Sequence, residues 1–141
     1  WFVEADGARR RPCKVPAAHE PVIVPRTTTV CSVYGLDAIG QRICDCCFRS
    51  ELAAEVLGKR ETDRLEAADL AKIAADGNGG CKGVKRGMDH WVILNKADTD
   101  QRKESAEEVC RELERYGNRR ILITFSEETE RSEMFVQKQQ N

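Results

Sequence analysis

Trp91-Val92-Ile93-Leu94 is an unbroken apolar run that leads straight into Asn95-Lys96-Ala97-Asp98. Such a run reads as a strand, and strands apolar throughout argue for a mainly parallel sheet. Just downstream, Ala106, Val109, Cys110, Leu113 and Tyr116 recur at i, i+3, i+4, i+7 spacing. That stripe predicts an amphipathic helix from about Gln101 to Tyr116, stopped by Gly117-Asn118. Ile121 to Phe125 then reads as one more buried strand.

The same alternation extends upstream. Thr28 to Tyr34 is β-branched and nearly unbroken, which predicts a strand covered on both faces. Ser50-Glu51 followed by an Ala/Leu/Val run predicts a capped helix to about Leu57, closed by Gly58. A second helix fits Glu66 to Ala75 and ends at Gly77-Asn78-Gly79-Gly80. Trp1-Phe2-Val3 reads as the end of a further buried strand, and Gly7 to Lys14, with three consecutive Arg and Pro12, as a polar loop. Val15 to Pro25 carries three of the four prolines, so it is expected to be extended, with at most a short strand at Val22-Ile23-Val24. From Glu127 the chain is polar except for Met134, Phe135 and Val136. The expectation is an α/β fold, a mainly parallel sheet flanked by helices, in one domain over residues 1–141 with 126–141 as a polar tail.

Composition narrows the function classes. Twenty-three Lys plus Arg against 24 Asp plus Glu give a net charge of -1, so there is no basic field to gather nucleic acid or an anionic membrane. No apolar stretch approaches the roughly 20 residues that a spanning helix needs. Seven cysteines, three of them in Cys44-Asp45-Cys46-Cys47, cannot all pair with one another. With no signal peptide pattern, reduced thiols in a cytoplasmic protein are the simpler expectation. Paired C-x-x-C knuckles do not occur, so no structural metal is expected, and Cys31 and Cys110 read as small core hydrophobes.

In α/β sheets ligands bind outside the carboxyl ends of the strands. An N-K-x-D there is suited to a guanine base: the Asp98 carboxylate can accept from N1 and N2 of the base, Asn95 can brace the loop, and the Lys96 stem can lie over the ring. Adenine would turn an acceptor toward Asp98 and be rejected. The plain alternative is a polar turn that caps the following helix. Glu4-Ala5-Asp6-Gly7, after the first expected strand, is the matching candidate for chemistry at phosphate, with Glu4 or Asp6 orienting water or holding Mg²⁺ and Gly7 letting the backbone approach. No G-x-x-x-x-G-K-[ST] occurs. Gly35-Leu36-Asp37-Ala38-Ile39-Gly40 has the glycine spacing but continues with Gln41-Arg42. A phosphate cradle is therefore expected upstream of Trp1, in a chain incomplete at its amino end.

Val3-Glu4-Ala5-Asp6-Gly7-Ala8-Arg9, Lys14-Val15-Pro16-Ala17-Ala18-His19-Glu20-Pro21-Val22-Ile23, Gly35 to Gly40, Arg49 with Glu51, Gly79-Gly80-Cys81-Lys82-Gly83-Val84 and Leu94 to Asp98 occur in this order. Together they resemble the YqeC family. The resemblance implies a fold similar to P-loop NTPases and an accessory role in maturing selenium-dependent molybdenum hydroxylases, with GTP or ATP and Mg²⁺ as cofactors and the hydroxylase maturation complex as partner. Hydrolysis of the nucleotide is expected where the phosphate loop is present. Gly7, Arg9, Lys14 and Asp37 complete the candidate ligand contacts, since guanidinium forks suit phosphate or a molybdopterin tail. His19-Glu20 is a candidate base with its orienting carboxylate, or a structural hydrogen bond. Lys82, among glycines, is free to reach a ligand. Two further readings stand beside this one: a non-catalytic interaction module of the same fold, and a thiol carrier of metal or selenium using Cys46 or Cys47.

Overall fold

The computed structural model describes residues 1–125 and the backbone of a short strand at Phe135–Val136. Its elements, in chain order, are β1 (Cys13–Lys14), β2 (Thr29–Gly35), a 3₁₀ turn at Leu36–Ala38, α1 (Ile43–Cys46), β3 (Cys47–Phe48), α2 (Ser50–Leu57), α3 (Ala67–Ala75), β4 (Asp89–Asn95), α4 (Asp100–Arg115), β5 (Ile121–Ile123) and β6 (Phe135–Val136). The main sheet runs in the order β2-β4-β5-β6. β2 and β4 are parallel and so are β4 and β5, while β6 lies antiparallel to β5. β1 and β3 form a separate two-stranded parallel ladder. Parallel neighbours need a long crossover. α4 supplies it between β4 and β5, and residues 36–88, with α1, α2 and α3, supply it between β2 and β4.

Local chemistry accounts for the helix bounds. At α3 the Glu66 side chain and the Asp69 side chain form a reciprocal capping box, with Glu66 N–H donating to Asp69 Oδ2 at 2.8 Å. Thr99 caps α4, its Oγ1 accepting from Arg102 N–H at 3.2 Å. α2 ends as expected at Gly58, which takes the left-handed conformation with φ 65°. Its start differs from the reading of Ser50 as the cap. Arg49 is the N-cap residue, at φ 60°, and Ser50 Oγ donates to Glu61 Oε2 at 2.8 Å.

The core lies between one face of the sheet and the helices. Tyr34, Val92, Leu94 and Ile121 point the same way from the pleat and are buried with Leu70, Ile73, Ala106, Val109 and Leu113. The opposite face is uncovered among the described residues. Cys31 and Val33 are exposed on it, and Trp91, Ile93 and Leu122 are half-buried. This corrects two expectations, since β2 is an edge strand covered on one face and Cys31 is not a core hydrophobe; the helices α3 and α4 both pack on the other side. Cys110 is buried as expected.

Two further expectations fall short, at Trp1–Val3 and at the end of β5, and the one for Val22–Val24 holds. Trp1-Phe2-Val3 forms no strand, pairs with no neighbour in the sheet and is exposed. Val22-Ile23-Val24 is irregular, consistent with its flanking prolines. Of Ile121 to Phe125 only Ile121–Ile123 is strand, with Thr124 just past its end still bonded to Leu94 and Ala97 through backbone. Met134 and the polar tail lie outside the described residues, apart from the backbone pairing of Phe135–Val136 with Leu122 and Ile123. Among the described residues no helix is long and apolar enough to cross a membrane.

Candidate functional site

β4 delivers Asn95 to the carboxyl edge of the sheet beside Gly35 at the end of β2. The turn that follows is stitched to β5 by its backbone: Ala97 N–H donates to Thr124 O at 3.0 Å, and Thr124 N–H donates to Leu94 O at 2.9 Å. Asn95 Oδ1 accepts from Lys96 N–H at 2.8 Å and from the Thr124 hydroxyl at 2.9 Å. Asn95 thus braces the turn, and Lys96 takes a left-handed conformation, φ 66°. A non-glycine residue held there marks a turn over-determined by its surroundings. Lys96 Nζ reaches Asp37 Oδ2 at 3.0 Å, and Asp98 lies 3.7 Å from the guanidinium of Arg102 on the first turn of α4.

Asp37 belongs to Gly35–Gly40, the segment with the glycine spacing of a phosphate loop. The segment is a 3₁₀ turn rather than a cradle. Its Oδ2 meets Lys96, while its Oδ1 is buried with no partner among the described residues. The carboxylate lies so close to the chain that a Cβ at Gly35 would collide with Oδ1 and with Pro12. Gly35 is needed for that approach. A buried carboxylate oxygen without a donor is costly, and it marks a place where a donor from outside would be welcome.

A second cluster gathers around Lys14. Its ammonium contacts Asp6 Oδ2 at 2.9 Å, Glu20 Oε2 at 3.1 Å and the Gly7 carbonyl at 2.7 Å. Arg49 grips Glu20 with two bonds, at 2.7 and 3.1 Å. The Phe48 ring carries three cations, Arg49 at 4.4 Å, Arg9 at 5.0 Å and Lys14 at 5.9 Å from its centroid. Partial burial alone would push the Glu20 carboxyl up. The hydrogen bonds from Arg49, Lys14 and the Ala17 N–H outweigh it and hold the group at about 2.

The candidate residues therefore fall into two groups. Asn95, Lys96 and Asp37 meet at the carboxyl edge, with Asp98 in the same turn; Asp6, Gly7 and Lys14 meet in the ion-pair cluster, with Arg9 over its aromatic neighbour. Glu4 is exposed and outside the cluster. The two groups are linked through backbone, by Gly35 N–H donating to Pro12 O at 2.8 Å. Around Asp6 the oxygens of Asp6, Gly7 and Glu20 converge on the Lys14 ammonium. Lys14 stands where a cation would stand, so the donor set does not fit Mg²⁺.

His19 is exposed and 3.9 Å from Glu20, too far for the pairing of base and orienting carboxylate. Lys82 is not free, because its ammonium donates to Ala17 O. Cys46 and Cys47 are buried, their Sγ atoms 3.8 Å apart. The hydrogen bond with Cys47, followed by burial, raises the Cys46 thiol far above its ordinary value; the hydrogen bond with Cys13, with burial, raises Cys47. Neither is placed to hand on a metal or selenium atom. Sequence reasoning passed over Thr124 and Phe48 as site residues, and it named Glu20 only as the partner of His19 and Arg49 only within the family likeness. The apolar run ending at Phe125 is the signal for Thr124, and no local pattern marks Phe48 or joins Glu20 to Arg49.

Residues 1–51 match the family model described as YqeC protein. The chain is also 28% identical over 96 residues to a protein of Escherichia coli strain K12 that bears the name "Uncharacterized protein YqeC". That alignment covers 67% of this chain and 38% of the relative, so the chain spans well under half the length of the curated relative it matches. No solved structure matches.

Proposed function

We propose that this chain, a member of the YqeC family, carries the base-recognition half of a nucleotide site and serves as a nucleotide-dependent accessory factor in the maturation of selenium-dependent molybdenum hydroxylases. One observation carries the first part: Asn95-Lys96-Ala97-Asp98 stands at the carboxyl edge of a parallel strand, braced by Thr124 and tied to Asp37. Asp98 receives the N1 and N2 donors of guanine, Lys96 covers the ring with its stem, and Asn95 keeps the turn in place. The maturation role rests on the family resemblance and goes no further than that.

The test follows from Asp98. Guanosine and adenosine nucleotides are titrated against the chain by saturation-transfer NMR, and the guanine signals are expected to dominate. Asp98→Asn replaces one acceptor by a donor, so the preference should move toward xanthosine nucleotides, whose C2 oxygen accepts. Equal binding of guanine and adenine, or an Asp98→Asn variant with unchanged base preference, would sink the reading.

A second reading is favoured by the open face of the sheet. Val33, at 58% exposure, together with Cys31, Trp91 and Ile93, gives a surface suited to a protein partner. In that reading the chain is a non-catalytic interaction module, and no nucleotide changes its melting temperature.

A further inference from the structure

Cys81 and His90 lie apart from both groups of candidate residues, toward the amino-terminal end of β4. His90 and Asn95 are five residues apart on that strand, about 16 Å at the usual rise. Cys81 Sγ is 3.4 Å from His90 Nδ1, and Ser32 Oγ is 2.9 Å from His90 Nε2. Asn118 Nδ2 also faces Nδ1, at 3.3 Å.

The hydrogen bonds fix the tautomer. The Ser32 hydroxyl donates its single proton to Gly80 O at 2.9 Å. At Nε2 it must therefore accept, so Nε2 carries the ring proton and Nδ1 presents its lone pair. That lone pair faces the Asn118 amide and the Cys81 thiol, both donors, the thiol proton being shared between Nδ1 at 3.4 Å and Ala74 O at 3.6 Å. The glycines before Cys81 make the approach possible: a Cβ at Gly79 would strike Ile73 O, and one at Gly80 would strike Ala74 O and Tyr34 Oη. The loop is thus laid tightly on the end of α3, which sets the thiol against the imidazole.

The pair opens onto a cleft of about 430 Å³ lined by Ala75, Tyr116, Gly117, Asn118, Arg119 and Arg120 as well as Cys81 and His90. Arg120 pairs with Asp89. Arg119 is exposed, with no carboxylate partner among the described residues. We propose that Cys81 and His90 form a base-assisted thiol site that exchanges with disulfides carrying negative charge, the half-buried thiol acting as nucleophile, His90 as base and Arg119 drawing the anion into the cleft.

The exchange balances without a further reagent. The Cys81 S–H proton passes to His90 Nδ1 as sulfur attacks one sulfur of the disulfide; a new S–S bond forms, the old one breaks, and the departing thiolate takes the proton from Nδ1. Burial, then Asp76, pushes the Cys81 thiol up, so little thiolate stands ready and the proton must move during the attack. Burial pushes His90 down, which keeps Nδ1 unprotonated at neutral pH and able to take it.

Exposure alone predicts the opposite order of reactivity, because Cys31 is exposed and Cys81 only half-buried. The folded protein is treated with bis(2-sulfonatoethyl) disulfide, an anionic aliphatic disulfide, and with cystamine, a cationic aliphatic one, so that charge and not leaving-group acidity separates them, and the labelled cysteines are followed by peptide mass spectrometry. With the anionic reagent, Cys81 is expected to react at least about tenfold faster than Cys31. Its rate should level off above the His90 titration, where a simple thiol climbs about tenfold per pH unit. His90→Gln should abolish the plateau and bring Cys81 down to the rate of Cys31, and Arg119→Ala should slow the anionic reagent without slowing cystamine. Cys31 reacting first, a Cys81 rate that keeps climbing with pH, or equal rates for the two reagents would each overturn the proposal. The order of labelling, the pH profile and the reagent comparison are read on the unaltered protein, so a His90→Gln chain that failed to fold would leave them standing.

Discussion

The turn at Asn95–Asp98 and the cluster around Lys14 are both polar, but they are held by different means. The turn is fixed by backbone, through two bonds to β5 and the Asn95–Thr124 contact. The cluster is fixed by charge, with Lys14, Glu20 and Arg49 arriving from separate segments. Arg49 even takes a left-handed backbone to do so, a conformation that costs on the order of 1–2 kcal/mol. A site set by a strand end keeps most of its shape when a side chain is lost. A site set by facing charges does not, because each member removed leaves its partners poorly compensated.

The largest effect is therefore expected at Glu20. Its carboxylate sits between two cations, and its side chain is only 17% exposed. Glu20→Gln should cost on the order of 2–3 kcal/mol in urea unfolding, by leaving Lys14 and Arg49 facing each other without the anion. A loss below about 0.5 kcal/mol, the usual value for an exposed pair, would show that the cluster does not brace the fold.

Acid should expose the same contrast. The Glu20 carboxyl is held at about 2 in the folded chain against an ordinary 4.5. A lowered carboxylate contributes stability that is fully present above the unfolded value and is lost as pH falls through the folded one. Stability should thus decline between about pH 4.5 and pH 2, and the decline should be shallower in Glu20→Gln. Parallel acid slopes for the two proteins, measured by unfolding at stepped pH, would place the acid sensitivity elsewhere.

The two regions also differ in how well the sequence shows them. The helix stripe and the apolar run at Trp91–Leu94 place the turn on a strand end by periodicity alone, and α2 and α4 follow their sequence bounds closely. What was misjudged is which faces are covered. Thr28–Tyr34 reads as a doubly buried strand because its residues are β-branched, yet edge position and one-sided helix packing are properties of the whole sheet. Trp1–Val3 reads as a strand from the same kind of run, and apolar character alone supplies no neighbour to pair with. The Lys14 cluster was legible only through the family likeness, which quoted Asp6, Lys14, Glu20 and Arg49 without saying that they touch. Charges separated by 29 residues, as Glu20 and Arg49 are, leave no periodic trace.

At the turn the expected costs are smaller. Thr99→Ala removes the cap of α4 and should cost about 1 kcal/mol, with the guanine preference intact because Asp98 keeps its place at the end of a stitched turn. A loss of base preference equal to that of Asp98→Asn would mean that the cap, and not the strand end, positions the carboxylate.

Thr124→Val gives the smallest and sharpest test. The substitution keeps the β-branched shape and deletes the hydroxyl proton that Asn95 Oδ1 accepts. Asn95 retains the Lys96 N–H as donor, so no acceptor is orphaned and the stability cost should stay within about 0.5–1 kcal/mol. Guanine binding should weaken a few-fold, because Asn95 then keeps only a bond inside its own turn, and Thr124→Ser should restore it by returning the hydroxyl. Guanine binding unaffected by Thr124→Val would show that the backbone bonds to β5 suffice to hold the turn. A stability loss exceeding that of Glu20→Gln would invert the contrast, making the strand end and not the charge cluster the more fragile of the two.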